Sequence, residues 1–110
     1  MSFDPSDVKH ADLHDAAIRI QTLAYAMTLP SSEEFDALEV GMCVKVGVGE
    51  YPNPSEAFWV ELVAISPLPL PLLPSMLGRI VNHLKFTDKH NLAAGDYIVV
   101  HRKNIFAITD

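Results

Sequence analysis

The stretch Glu56-Ala57-Phe58-Trp59-Val60-Glu61-Leu62-Val63-Ala64-Ile65 decides the fold of this chain. Successive side chains of an extended strand point to opposite faces. One face would carry Phe58, Val60, Leu62 and Ala64. The other would carry Trp59, Glu61, Val63 and Ile65. Because both faces are mostly apolar, the stretch predicts a central strand. We expect Trp59 to anchor the core, whereas an exposed Trp59 beside Tyr51 would mark a binding surface.

Short strands are predicted on both sides of this stretch. They span Met42–Val48, Met76–Leu84, Asp96–His101 and Ile105–Ile108. Two of them follow the same pattern of a leucine, a glycine and an alternating strand: Leu38, Gly41, Val44 and Val46 match Leu92, Gly95, Ile98 and Val100. We interpret this match as shared turn chemistry and not as a duplicated domain.

The first 38 residues are predicted to be mainly helical. Asp4–Asp7 has the acids and the proline of a helix start, and the apolar period of residues 12–27 is that of a helix ending before Pro30. Ser31 and Glu34 form a capping box that starts a short helix through Leu38. A second apolar line on the long helix suggests a partner contact and contains Ile18, Tyr25 and Leu29.

These elements predict an α+β fold in a single domain, residues 1–110. A helical part, residues 1–38, would pack its N-terminal helix on a β-rich part, residues 41–108. The β-rich part would form a small, strongly bent antiparallel sheet or barrel of about five strands.

Composition restricts the classes of function. The 110 residues are 49% hydrophobic and 20% charged, which excludes a disordered chain. Eight basic against 14 acidic residues give a net charge of −6, which disfavours nucleic acid as a partner. Cys43 is the only cysteine, and Met1–Asp7 lacks the apolar core of a secretory signal. We therefore expect a cytoplasmic protein with no membrane span.

Ser66–Ser75 holds four prolines between apolar residues and predicts a stiff, extended connection. Its leucines would either cover the open end of the core, which is the favoured interpretation, or form an exposed ridge for a partner. The candidate partner-binding leucines are Leu68, Leu70 and Leu72.

Three phrases carry a resemblance to a known family. They are Glu56–Leu62, Gly78–Asn82 and Leu92–Ile98, together with the closing Ile105. In this order they resemble the bacterial domain-of-unknown-function family 2314 over residues 41–108. The Pro-Leu run and Lys85–Asp88 depart from the family pattern. The resemblance implies a small β-rich bacterial protein and supplies no catalytic residues.

Few residues point to catalysis. His83, His90 and His101 would make a metal-dependent enzyme only if their strands brought them together, and their spacing does not favour this. His10 and His14 have the i, i+4 spacing of a metal pair on a helix, but a solvated acidic helix start is the favoured interpretation. Cys43 is expected to be a small buried group. We expect neither a catalytic residue nor a cofactor.

A second set of candidates is basic. Arg79, Lys85, Lys89, Arg102 and Lys103 could form a nucleic-acid-binding face on a small barrel. The acidic first half of the chain argues against it. The sequence therefore predicts a non-enzymatic protein-interaction or binding module, acting on a protein partner or on a second copy as a homodimer. Nucleic-acid binding and a metal-dependent enzyme are the alternatives.

Overall fold

The computed structural model describes residues 8–9, 13–19, 28–49, 55–65 and 75–109. Within them, six strands form one sheet in the order β1-β5-β4-β3-β2-β6. The strands are β1 (Val8–Lys9), β2 (Cys43–Val48), β3 (Glu56–Ile65), β4 (Ser75–Ile80), β5 (Tyr97–His101) and β6 (Ala107–Thr109). The helices are α1 (Ala16–Arg19), α2 (Ser32–Asp36) and α3 (Thr87–His90), with a 3₁₀ turn at Arg102–Asn104.

The predicted antiparallel sheet of about five strands is confirmed. The pairs β2–β3, β3–β4, β4–β5 and β2–β6 are all antiparallel. β3 has its predicted bounds and lies at the centre, because its two apolar faces suit a strand with neighbours on both sides. The described part of the fold is mostly β, and its helices are short.

The N-terminal part differs from the prediction. Val8 and Lys9 form a strand that pairs in parallel with β5, and Leu13 makes a single bridge to Val48. The helix α1 begins at Ala16 and not at residue 12, since the Asp15 carboxylate accepts hydrogen bonds from the Ala17 and Ile18 amides. The predicted helix start at residues 4–7 and the continuation through residues 20–27 lie outside the described residues.

One face of the sheet forms the core. The inner strand residues of the core are Val44, Val46, Val48, Phe58, Val60, Leu62, Met76, Ile80, Ile98 and Val100. Leu92 and Ile105 complete the buried cluster, and Phe35 and Leu38 pack against it from the side of α2. We call this the inner face and the opposite one the outer face.

A bulge changes the alternation near the end of β3. Leu62 pairs with Gly78 but Ala64 pairs with Leu77, so one extra residue lies between them on β3. Side chains beyond the bulge therefore exchange faces. Ala64, predicted to share a face with Phe58, is exposed, while Ile65 packs against the core.

The two matched turns share their backbone structure. Gly41 and Gly95 have φ of +99° and +93°, and their amides donate to the carbonyls of Leu62 and Ile80 at 2.8 and 2.7 Å. Leu62 and Ile80 donate back to Met42 and Asp96, each at 2.9 Å. The shared turn chemistry is confirmed. An approximate twofold axis through the sheet, between Glu61 and Arg79, therefore relates β2 to β5 and β3 to β4.

Candidate interaction surface

A row of outer-face side chains crosses the centre of the sheet. Strand register places Cys43 beside Glu61, Glu61 beside Arg79, and Arg79 beside Tyr97. An Arg79 Nη2 donates to Glu61 Oε1 at 3.2 Å, and the two side chains are 46% and 37% exposed. An ion pair this exposed adds little stability, so its position at the centre of the outer face is its more informative property.

Apolar side chains flank the charged pair on the outer face. On one side Leu77 pairs across the strands with Val99, next to Val63 of the bulge. On the other side Trp59 pairs with Lys45. All five are half-buried, and none of the four apolar side chains belongs to the core cluster. Trp59, expected as a core anchor, is therefore an outer-face residue, and so is Cys43, which is half-buried.

A second polar cluster lies at the start of β3. The Glu56 carboxylate accepts hydrogen bonds from the amides of Lys85 at 2.6 Å and Phe86 at 3.1 Å, and from His90 Nε2 at 2.9 Å. His90 Nδ1 accepts from the Leu92 amide at 3.1 Å, so the ring proton lies on Nε2 and is donated to Glu56. The Glu56 and His90 side chains are only 12% and 10% exposed.

The environment of Glu56 favours its ionised form. Burial of the carboxyl raises its pKa, but the hydrogen bonds from His90, Lys85 and Phe86 outweigh burial, and the pKa of Glu56 is lowered. Each of its partners is part of the segment that forms α3. The cluster therefore joins the start of β3 to α3, and all its donors are already used within the fold.

His14 is a structural residue. Its Nε2 lies 2.7 Å from the Gly49 carbonyl oxygen, and its own amide donates to the Gly47 carbonyl at 2.8 Å. A Cβ on Gly47 would lie 2.8 Å from His14 Nδ1, so the glycine makes room for the ring. The interpretation of a solvated His14 is wrong, because the side chain is buried at 8% exposure. His10 lies outside the described residues.

The predicted partner-binding residues are not gathered into one described surface. Ile18 on α1 is 63% exposed, and Leu29 is half-buried. The other four lie outside the described residues: Tyr25, Leu68, Leu70 and Leu72.

The predicted nucleic-acid-binding residues lie at separate places. Arg79 is on the outer face, whereas Arg102 pairs with Asp36 of α2 at 2.9 Å and lies over the Phe35 ring at 5.7 Å, on the side of the inner face. Lys85 and Lys103 are exposed, and Lys89 is in α3. The structure does not bring Arg79 and Arg102 together.

The candidate metal ligands do not meet among the described residues. No group of three His, Cys, Asp or Glu side chains is placed there to hold a metal ion. His90 is used by Glu56 and Leu92, His83 is exposed, and His101 is half-buried on β5. A described cleft of about 340 Å³ beside β6 is lined by Glu34, Ala37, Met42, Ile108 and Thr109. Its only ionisable side chain, Glu34, completes the capping box of α2.

Sequence reasoning missed both polar pairs of the site. Glu61 and Arg79 each interrupt an apolar strand pattern, and this interruption is the signal that could have drawn attention to them. Their pairing, however, depends on the register of β3 against β4, which no local pattern gives. Glu56 and His90 are likewise far apart in sequence.

Comparisons with known proteins add no relative. No family model matches the chain, and no curated protein or solved structure is significantly similar to it. The resemblance to the bacterial family therefore stays a prediction. No helix in the described ranges has both the length and the apolar character needed to cross a membrane.

Proposed function

We propose that this chain is a non-enzymatic protein-interaction module that binds its partner through the outer face of the sheet. One observation carries the proposal. Trp59, Val63, Leu77 and Val99 are apolar, share the outer face and lie outside the core cluster. A sheet face meant only for water alternates apolar-in with polar-out, and this one does not.

The chemistry of the face suits a protein partner. Trp and Tyr are enriched at protein interfaces because they combine a large apolar area with a polar group. Trp59 and Tyr97 supply both on the two sides of the Glu61–Arg79 pair. Apolar centres with a few charged side chains are typical of specific interfaces.

Nucleic-acid binding is the second candidate, because the same face combines aromatic and basic side chains. Trp59 and Tyr97 could stack on bases, with Lys45 and Arg79 near the phosphates. The ion pair with Glu61 and the net charge of −6 weaken this candidate. A metal-dependent enzyme using His83, His90 and His101 has no supporting observation among the described residues.

We also propose the features of helix packing, family and location that the sequence predicts. The N-terminal helix would pack on the sheet, which would be strongly bent. Membership of the bacterial family would follow from the quoted phrases. The lone Cys43 favours a reducing compartment, and the cytoplasm is the proposed location.

Photocrosslinking tests the proposal at the outer face. A photoreactive amino acid is placed at Val63 on the outer face and, as the matched control, at Val40, which is 62% exposed in the turn before β2. We expect a protein adduct in the source cell from position 63 and none from position 40. Equal adducts from both positions, or none from either, would contradict the proposal.

The single tryptophan separates the two candidates. Trp59 is the only tryptophan of the chain, so its fluorescence reports on the outer face alone. Single-stranded oligonucleotides at low salt should leave its emission unchanged. Quenching that disappears as salt is raised would favour the nucleic-acid candidate instead.

A further inference from the structure

The charges at the centre of the outer face are arranged so that the face complements itself. Glu61 and Arg79 are directly opposite each other on β3 and β4. They carry opposite charges, lie 3.2 Å apart, and flank the approximate twofold axis of the sheet. If the outer face of a second copy is turned over and laid on this one, its Arg79 lies opposite Glu61 and its Glu61 lies opposite Arg79.

We infer that the occupant of the outer face is a second copy of this chain; this inference rests on the proposed function. In a closed pair, each copy offers the same patch to the other. With the axis of the pair running between β3 and β4, β3 of one copy lies over β4 of the other. Glu61 then meets the partner's Arg79, and Arg79 meets the partner's Glu61.

The apolar side chains match in the same arrangement. Val63 and Ala64 lie beside Leu77 in one chain, so they meet the partner's Leu77 in the pair. On the other side of the charges, the Val81 amide donates to the Trp59 carbonyl at 3.1 Å, and Val81 is 43% exposed. Trp59 therefore meets the partner's Val81. On β3 and β4, charged side chains therefore meet charged ones and apolar side chains meet apolar ones.

Charge distinguishes a second copy from an unrelated partner. The chain carries −6, yet among the described residues the charged side chains on the outer face of β2, β3 and β4 are Lys45, Glu61 and Arg79. A strongly cationic or anionic partner would gain little from such a balanced face. Two copies therefore meet on strands whose described outer-face charges are not predominantly acidic, and the central charges fix the register.

The area of the outer face indicates how stable the dimer is. Four strands about 4.8 Å apart and about five residues of each give a projected area of roughly 300 Å² per copy. Two such faces give about 600 Å² of projected area, which is below the roughly 1,200 Å² of stable specific interfaces and in the range of weak, transient ones. We therefore expect a concentration-dependent dimer, with a dissociation constant in the micromolar range, and not a permanent one.

Two charge reversals and their mixture test the register directly. Glu61→Arg leaves two arginines, and Arg79→Glu leaves two glutamates, at the centre of the face. Each variant alone should be a monomer in sedimentation equilibrium, with dimerisation weakened at least tenfold. Mixed together, the two should form a mixed dimer, because each arginine then meets a glutamate of the other chain.

The outcomes separate this inference from the proposed function. The inference of a second copy is overturned if the wild-type chain is still monomeric at concentrations about 100 times the expected micromolar range. It is also overturned if the mixture of the two variants stays monomeric. If position 63 then crosslinks to another protein, the interaction module stands and the occupant is wrong. If position 63 gives no adduct at all, both are wrong.

The charge-reversal variants could be monomeric because they misfold, so a second test uses a variant in which the Glu61–Arg79 ion pair is kept. Val63→Asp places a charge in the apolar row and should abolish the dimer, while Val40→Asp makes the same change in the exposed turn and should leave the dimer intact. Circular dichroism checks that both are folded. Equal effects of the two substitutions on dimerisation would overturn the inference.

Discussion

The turns leading into β2 and β5 share the same backbone hydrogen bonds, but the helices before them are held in different ways. The start of α2 is held by its own residues, since Ser31 and Glu34 form a capping box, and Arg102 contacts the helix further along through Asp36. α3 has no side-chain cap on Phe86, and its start is held by Glu56 from the distant strand β3.

A second difference lies inside the turns. The amide two residues before the glycine donates to the side chain of the residue after it in both turns. In the turn before β5 the acceptor is the Asp96 carboxylate at 2.9 Å, and in the turn before β2 it is the Met42 sulfur at 3.2 Å. Sulfur is the weaker acceptor. The start of α3 is thus held by a largely buried carboxylate from a distant strand, whereas the start of α2 is held by an exposed local capping box.

The largest loss of stability is expected from removing the Glu56 carboxylate, which joins β3 to the start of α3. Glu56→Ala leaves the half-buried His90 Nε2 and the amides of Lys85 and Phe86 without their acceptor. We expect a loss of about 3 kcal/mol in the free energy of unfolding, measured in urea. Hydrogen exchange should rise first in residues 85–92.

Glu33→Ala is the matched control for this substitution. Glu33 is exposed in the first turn of α2. Removing it should change the free energy of unfolding by less than about 0.5 kcal/mol. Equal losses from the two substitutions would mean that Glu56 does not hold α3 in the way the structure describes.

The same contact should make stability depend on pH. The pKa of Glu56 is lowered in the folded chain, so near and below the ordinary glutamate value of about 4.3 the unfolded chain binds more protons. The stabilising contribution is therefore complete above that value and is lost as the pH falls through the lower folded pKa. The deficit of Glu56→Gln against wild type should be constant from about pH 7 to 6 and shrink toward about pH 3.

Urea midpoints at several pH values check this expectation. Glu33→Gln provides the reference for removing one acid from the chain. A Glu56→Gln deficit that grows as the pH falls would contradict the assignment of the lowered pKa to the folded state.

The same contrast explains what could be predicted from sequence. The Ser31–Glu34 box spans one helical turn, and β3 shows its apolar pattern within ten residues, so both were predicted and are confirmed. Glu56–His90 and Glu61–Arg79 join residues from different strands and loops. Such pairs depend on strand register, which the bulge at Val63 changes by one residue without any proline or glycine on β3 itself to mark it.

The candidate site follows the same rule. The interaction surface was predicted from surplus apolar residues, and the residues chosen were those of the long helix and of the Pro-Leu run. The outer face was missed because β3 is apolar on both sides, and sequence alone assigned Trp59 to the core. Two residues at the chain start, Val8 and Lys9, are too few for a strand pattern and were missed as well.

Substitution of the glycine in either turn, before β2 or before β5, should lower the stability by the same, intermediate amount. Gly41 and Gly95 both have a positive φ, and nothing lies within 4 Å of a Cβ built on either. An alanine there meets no clash, so its cost is the strained backbone, about 1–2 kcal/mol at each position. Thermal unfolding of the two variants should agree within about 0.5 kcal/mol. A much larger loss at one glycine would show that the turns are not equivalent.

The smallest effect is expected from breaking the local contact. The Ser31 hydroxyl accepts from the Glu34 amide at 3.2 Å, and the Glu34 carboxylate accepts from the Ser31 amide at 3.1 Å. Both residues are exposed, so water replaces the lost bonds when Ser31 becomes alanine. We expect a loss of about 0.5–1 kcal/mol, with faster hydrogen exchange confined to residues 32–38. Ser31→Asp should restore the cap, since aspartate accepts the same bond. If Ser31→Ala instead costs as much as Glu56→Ala, then α2 is held as firmly as α3 and the contrast between the two halves is wrong.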